Sequence, residues 1–279
     1  MMHPGLIIPL AVIAFLILSF CIYLILIKPE KREGMESLLS RRYAHRGLHN
    51  AHRAENSLSA FKAAVDAGYG IELDVRLSSD GELVVFHDDT LERITGCEGR
   101  VDEYTAKELS EMKLYNTDDG IPTFLEVLRV VDGKVPLLIE LKEDAGKYGV
   151  TDKTCEILRD YNGEYMIESF NPLALIRVKK LMPHVYRGIL SQNYLERKEF
   201  RTPMHFLLQI LTMNSACSPN FIAFKVENSK NAALRLVRRI FGVPTIAWTV
   251  KSEEQDAYAK NEGYVTTIFE GYEPPVSPK

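Results

Sequence analysis

Paired cysteines are missing from this chain. Cys21, Cys97, Cys155 and Cys217 stand far apart and form no CxxC pair. Only three of them lie beyond the apolar N-terminal run, so neither a disulfide framework nor a structural zinc site is expected. An excess of basic charge is missing too: 34 Lys and Arg face 38 Asp and Glu, a net charge of −4. That leaves no basic footprint for nucleic acid, and no nucleic-acid partner is expected. No GxGxxG follows the first strand-like segment, which removes the usual mark of a dinucleotide site. No internal repeat or low-complexity tract stands out either.

Charge is absent altogether between Leu6 and Ile27, a 22-residue run reading LIIPLAVIAFLILSFCIYLILI. As a helix it would reach roughly 33 Å, enough for a bilayer core. Pro9 lies near its start, where proline does least harm. A secretory signal peptide competes, but its apolar core is usually only about 7–15 residues and follows basic residues. Only MMHPG precedes this run, and Phe20 before Cys21 suits a lipoprotein cleavage site poorly. Lys28, Lys31, Arg32, Arg41 and Arg42 follow it. Positive charge stays on the cytoplasmic side, so a single-pass anchor with a cytoplasmic C-terminal part is expected. The resulting division is an anchor over 1–28, a juxtamembrane linker over 29–41 and one large domain over 42–272.

Within that domain short apolar runs alternate with helical patterns. Strands are predicted over 42–45, 70–77, 83–87, 135–141, 165–170, 186–190, 221–226, 244–250 and 263–269. Helices are predicted over 56–67, 106–112, 123–131, 151–161, 172–181, 230–240 and 253–261. Such alternation points to parallel pairing and an α/β fold. Nine strands are one too many for an eight-stranded barrel. The link between the second and third, Ser78–Glu82 with Asp80-Gly81, is too short for a parallel crossover of about a dozen residues. Those two segments are therefore expected to form a local hairpin. A TIM (β/α)8 barrel with an irregular second unit fits best, since such barrels take about 250 residues; an open doubly wound sheet is the alternative.

Several strand ends carry groups suited to chemistry. In GYGIELDVRL, side chains two apart share a face, so Glu72 and Asp74 project together between Ile71, Leu73 and Val75. Adjacent carboxylates repel unless a cation or a basic partner sits between them; a hard divalent ion in a barrel interior would answer that, and a solvated edge strand is the plainer reading. VPLLIELKED repeats the pattern with Glu140 and Lys142, which could also be an ordinary strand-end ion pair. His87 ends LVVFHDD, and His45 ends the first strand. Two imidazoles beside a metal would suit phosphodiester hydrolysis, one taking a proton and the other giving one. A lone strand-end histidine is more often structural. Active sites of barrels gather at strand C-terminal ends, where all these groups stand.

In order and spacing, His45-Arg46-Gly47, Glu55-Asn56-Ser57, Glu72-Leu73-Asp74, Asp80-Gly81, Val84–Asp88 and Glu140-Leu141-Lys142 resemble the glycerophosphodiester phosphodiesterase family. The resemblance runs from about Tyr43 to Val250. It implies a TIM barrel that hydrolyses glycerophosphodiesters to glycerol 3-phosphate and an alcohol with one divalent cation, Mg²⁺ or Ca²⁺. It implies Glu72, Asp74 and Glu140 as metal ligands, His45 and His87 as the acid/base pair, and Arg46 and Lys142 as phosphate contacts. It further implies a supporting or substrate-binding Glu55 and a small insertion over 90–116. Trp248 either lines the pocket or packs the barrel. The chain departs from the family pattern at Ala54, at Lys251 and in the closing strand GYVTTIFEGYEPP. His49 and His52 are expected to face solvent, and Met204–Cys217 to form an outer barrel helix or a lipid-facing lip. Two rival functions are a lysophospholipase D and a silent, membrane-tethered binding barrel.

Overall fold

Alternation along β2 (Gly70–Leu77) places Ile71, Leu73 and Val75 in the outer core under the helices and turns Glu72 and Asp74 inward. The same period recurs in each strand of the computed structural model, which describes residues 4–144 and 146–276. The other strands are β1 (Tyr43–Ala44), β3 (Leu83–Val85), β4 (Leu137–Leu141), β5 (Tyr165–Ser169), β6 (Arg187–Ser191), β7 (Phe221–Lys225), β8 (Thr245–Val250) and β9 (Thr266–Phe269). Eight of them are parallel and close into a barrel, because β1 pairs with β2 on one side and β9 on the other. The ninth, β3, runs antiparallel along β2. It is the hairpin expected from Asp80-Gly81, with Gly81 in the left-handed region at φ 79°.

The helices, in chain order, are α1 (Pro4–Leu26), α2 (Glu36–Leu39), α3 (Leu58–Ala67), α4 (Glu92–Thr95), α5 (Ala106–Glu111), α6 (Phe124–Val131), α7 (Gly149–Leu158), α8 (Pro172–Leu181), α9 (Pro203–Gln209), α10 (Asn214–Cys217), α11 (Ala232–Phe241) and α12 (Glu253–Asn261). Two expectations are corrected here. The helix predicted from Asn56 begins at Leu58: Ser57 is its N-cap, accepting from the Ala60 N–H, and Asn56 sits outside at φ 56°. Asparagine tolerates that conformation better than most residues. Met204–Cys217 is two short helices rather than one, broken around Leu211 at φ 62°. The break lets Ile210 O accept from Tyr23 Oη and Asn214 Nδ2 donate to Ile27 O, so the end of α1 docks there.

The lower barrel interior is apolar. Tyr43, Leu138, Met166, Leu190, Phe221 and Ile246 fill it, and Met35 and Leu38 from the stretch 29–41 plug its N-terminal end. A Cβ at Gly188 would fall 2.0 Å from the Phe221 ring, so that inward position takes only glycine. The same stretch is tied in by charge. Arg187 is fully buried and its Nη2 donates to Glu30 Oε2 at 2.5 Å, with further bonds to the Cys217 and Val185 carbonyls. Removing one partner of a buried pair strands the other. Glu30→Ala is therefore expected to lower unfolding stability by about 2–3 kcal/mol, less than a fully buried pair because Glu30 is part-exposed. Urea titration of the purified chain measures it, and no change would mean that the carbonyls alone satisfy the guanidinium.

Candidate active site

The barrel register sets Asp74 beside Glu140. With Glu72, they bring one carboxylate oxygen each within 4.8 Å of the others, all three side chains being buried. Basic groups from both sides hold this cluster. Lys142 Nζ lies 2.6 Å from Glu140 Oε1 and 3.0 Å from Asp74 Oδ1. The backbone N–H of Arg46 donates to Glu72 Oε2 at 2.8 Å. That bond depends on the turn after β1, where Arg46 at φ 55° and Gly47 at φ 81° are both left-handed. Asn56, itself held by an N–H bond to Arg46 O, donates from Nδ2 to Asp74 Oδ2 at 2.8 Å.

The electrostatics leave room for another cation. Burial drives the Glu72 carboxyl well above its ordinary range, and the charges of Asp74 and Glu140 add to this. Burial likewise raises Glu140 against the pull of Lys142. Asp74 is held well below the usual range: burial pushes up, but Lys142, His87 and Arg46 together outweigh it. A further buried acid, Glu168, stands beside Glu140 in register, is raised by burial and by Glu72 and Glu140, and has one oxygen without a hydrogen-bond partner. An all-oxygen donor set of buried carboxylates that repel one another fits a hard divalent ion.

Two imidazoles flank the cluster. His45 follows β1 directly; its Nδ1–H donates to Glu270 at 2.6 Å, and its Nε2 lies 4.0 Å from Glu72 Oε2. Burial lowers the His45 pKa, partly offset by the hydrogen bond to Glu270. His87 follows β3, with Nδ1–H donating to Asp88 at 2.5 Å and its carbonyl accepting twice from Arg76. In both rings a carboxylate takes Nδ1 and leaves Nε2 free, the arrangement that fixes an imidazole tautomer.

Glu55 anchors a second ionic layer above. It accepts from Arg46 Nη1 at 2.5 Å and from Arg93 Nη1 and Nη2 at 3.0 and 2.8 Å, and Arg93 Nε also reaches Asp88. Burial alone would raise the Glu55 carboxyl, yet Arg93 and Arg46 hold it down at about 2. Arg93 and Tyr115, which also bonds Glu55, come from the segment between β3 and α6.

The structure thus brings His45, Arg46, Glu55, Glu72, Asp74, His87, Glu140 and Lys142 to one end of the barrel. Trp248 stands on the wall formed by β8, its ring edge-on to Phe170 at 5.4 Å. His49 corrects its expectation: it is mostly buried, with Nε2 unpartnered and 3.9 Å from Glu270, whereas His52 is exposed. Sequence reasoning missed Glu270, Glu168 and Arg93, and quoted Asn56 without giving it a role. The signal for Glu270 was present: Lys251 and the closing strand both depart from the family pattern, and Lys251 Nζ pairs with Glu270 Oε1 at 2.6 Å. The two departures meet each other behind His45.

Comparison with known proteins gives the family of the chain. Residues 45–270 match the model of the Glycerophosphoryl diester phosphodiesterase family. A glycerophosphodiester phosphodiesterase of Caldanaerobacter subterraneus subsp. tengcongensis is 39% identical over 225 residues, covering 76% of this chain and 86% of the relative. One from Bacillus altitudinis is 34% identical over 169 residues, 56% of this chain and 69% of the relative. Among solved structures, a glycerophosphodiester phosphodiesterase from Thermotoga maritima superposes with a TM-score of 0.62 at 26% identity, covering 81% of this chain and 92% of its own. A phosphodiesterase from Oleispira antarctica superposes at 0.69 and 23%, covering 82% and 92%. The chain belongs to the glycerophosphoryl diester phosphodiesterase family and is a phosphoric diester hydrolase of glycerophosphodiesters.

Proposed function

We propose that this site hydrolyses glycerophosphodiesters to glycerol 3-phosphate and an alcohol through metal-assisted, two-histidine acid/base catalysis. The observation that carries the proposal is the convergence of three buried carboxylates with two imidazoles whose Nδ1 atoms are already taken. Glu72, Asp74 and Glu140 would hold one divalent cation, Mg²⁺ or Ca²⁺, which when bound supplies positive charge to a phosphoryl oxygen. Arg46 and Lys142 supply fixed donors to the remaining oxygens; the planar guanidinium suits two of them at once. His45 and His87 move protons at Nε2, one to the leaving oxygen and one from the nucleophile. Glu55 keeps Arg46 aimed, and Trp248 offers a flat apolar wall for the alcohol half. The Oleispira antarctica relative was solved with the product sn-glycerol-3-phosphate, which suits the same substrate class here.

The proposal includes the chain's placement. α1 is exposed from Ile8 to Ile22 and apolar enough over Ile8–Leu26 to cross a membrane. It serves as a single-pass anchor, with the basic residues after it holding the barrel on the cytoplasmic side. The stretch 29–41 joins it to a barrel domain over 42–272.

Assay of the purified chain on a panel of glycerophosphodiesters, with lysophosphatidylcholine alongside, tests this function. Glycerol 3-phosphate should appear from the first group, stop with EDTA and return with Mg²⁺ or Ca²⁺. Turnover indifferent to chelator would contradict it.

Glu270 is a positioning residue in this scheme. Its charge favours the imidazolium of His45, so Glu270→Gln should lower that pKa further. The limb of the kcat/KM profile that His45 governs then moves to lower pH, and kcat falls about 10–100-fold as the ring loses its orientation. An unmoved profile would remove Glu270 from the site.

A further inference from the structure

The segment from Arg197 to Leu208 presents one continuous kind of surface. On α9, Met204, Phe206 and Leu207 are exposed at 56%, 46% and 39%. Just before them Arg197, Lys198 and Arg201 are exposed as well. Two acids stand beside them, Glu196, which accepts from Asn228, and Glu199, so the three cations are in excess by one. Basic residues beside protruding apolar ones make the composition of an interfacial membrane element.

The docking of α1 indicates what covers this surface. The end of α1 meets the barrel flank through two hydrogen bonds: the carbonyl of Ile27, the residue after the helix, accepts from Asn214, and Tyr23 Oη donates to Ile210 O. Moving from Ile27 to Tyr23, towards the apolar centre of α1, the partner moves from Asn214 to Ile210, towards α9. So α9 lies on the side into which the bare, exposed part of α1 runs. A span entering a bilayer there brings the outer face of α9 to the membrane interface. Behind α9 an apolar groove of about 530 Å³, lined by Phe170, Leu173, Tyr194, Met204 and Leu208, continues inward. Phe170 at its inner end touches Trp248 at the barrel mouth.

We propose that residues 197–208 form a second contact with the bilayer. Met204, Phe206 and Leu207 enter among the acyl chains, Arg197, Lys198 and Arg201 meet anionic headgroups, and the groove opens the barrel mouth towards lipid. This rests on α1 being a membrane span.

The test uses the full chain carrying Phe206→Trp in vesicles of phosphatidylcholine and phosphatidylglycerol, with the parent chain as the Trp248 reference. The emission added by the substitution should be quenched about twofold or more by brominated acyl chains, since an interfacial helix sits roughly 5–10 Å deep, and shielded from acrylamide. Leu207→Trp repeats the measurement should the first variant misfold by circular dichroism. A chain that floats with vesicles but whose added emission answers to acrylamide and not to bromine overturns the second contact. Shielding from both quenchers would also overturn it, pointing to a second copy of the chain on this face. A chain that does not float overturns the anchor, and this inference with it.

Discussion

His45→Ala and His87→Ala should each lower kcat by about 10²–10⁴-fold while leaving KM within a few-fold of the parent, as loss of a proton-transfer group does. Neither ring carries the fold. His45 closes a turn whose backbone bonds run through its N–H to Phe269 O, and that bond survives truncation of the side chain. His87 is held at its carbonyl by Arg76, again independently of the ring. Far-UV circular dichroism should therefore be unchanged. In the proposed chemistry both imidazoles serve one reaction, so the double variant should lose little beyond the worse single one. Steady-state turnover of glycerophosphocholine measures all three, and a single variant retaining half the parent rate would remove that histidine from the chemistry.

Glu72→Gln and Asp74→Asn should cost at least as much turnover, about 10³-fold or more, by removing charge from the cation site and disordering the rest. A second readout separates this from damage to the fold. Ligand binding stabilises by about 2.7 kcal/mol when the ion is at a hundredfold excess over its Kd. Thermal denaturation of the parent should shift upward with Ca²⁺ or Mg²⁺, and that of Glu72→Gln should not. In EDTA the sign reverses for pH. The folded Glu72 carboxyl is raised above its unfolded value, mainly by burial and then by Asp74 and Glu140. Its stabilising contribution is then present below the unfolded pKa of about 4.5 and is lost as pH rises through the folded one. The metal-free parent should lose this contribution towards neutral pH while Glu72→Gln does not. Equal metal-induced shifts in both proteins would contradict the ligand assignment.

Much of this was legible in the chain itself, for a physical reason. Ile71, Leu73 and Val75 alternate with Glu72 and Asp74, and period two alone assigns their faces. Ser78–Glu82 is too short a link for a crossover, which marks β3 as a hairpin from the sequence alone. Groups of the candidate site near one another in sequence, such as His45, Arg46 and Glu55, were readable as a motif. Glu270 left only an indirect trace, in the departures at Lys251 and the closing strand, because it reaches His45 only when β9 closes on β1, 225 residues away. Arg93 meets Glu55 across 38 residues through a segment with no periodicity of its own. The break at Leu211 was hidden because hydrophobicity runs through it unbroken; docking of Tyr23 and Ile27 accompanies it. Asn56 was visible as a letter in a motif, but its left-handed backbone and its grip on Asp74 belong to the folded turn.

A crystal structure grown with Mn²⁺ and sn-glycerol 3-phosphate would probe the heart of the site in one measurement. The anomalous peak should fall within coordination distance of carboxylate oxygens from Glu72, Asp74 and Glu140, with the phosphate beside it and His45 and His87 both within hydrogen-bond reach of that phosphate. A peak outside those three acids, or a phosphate that neither ring can touch, would contradict the proposed chemistry.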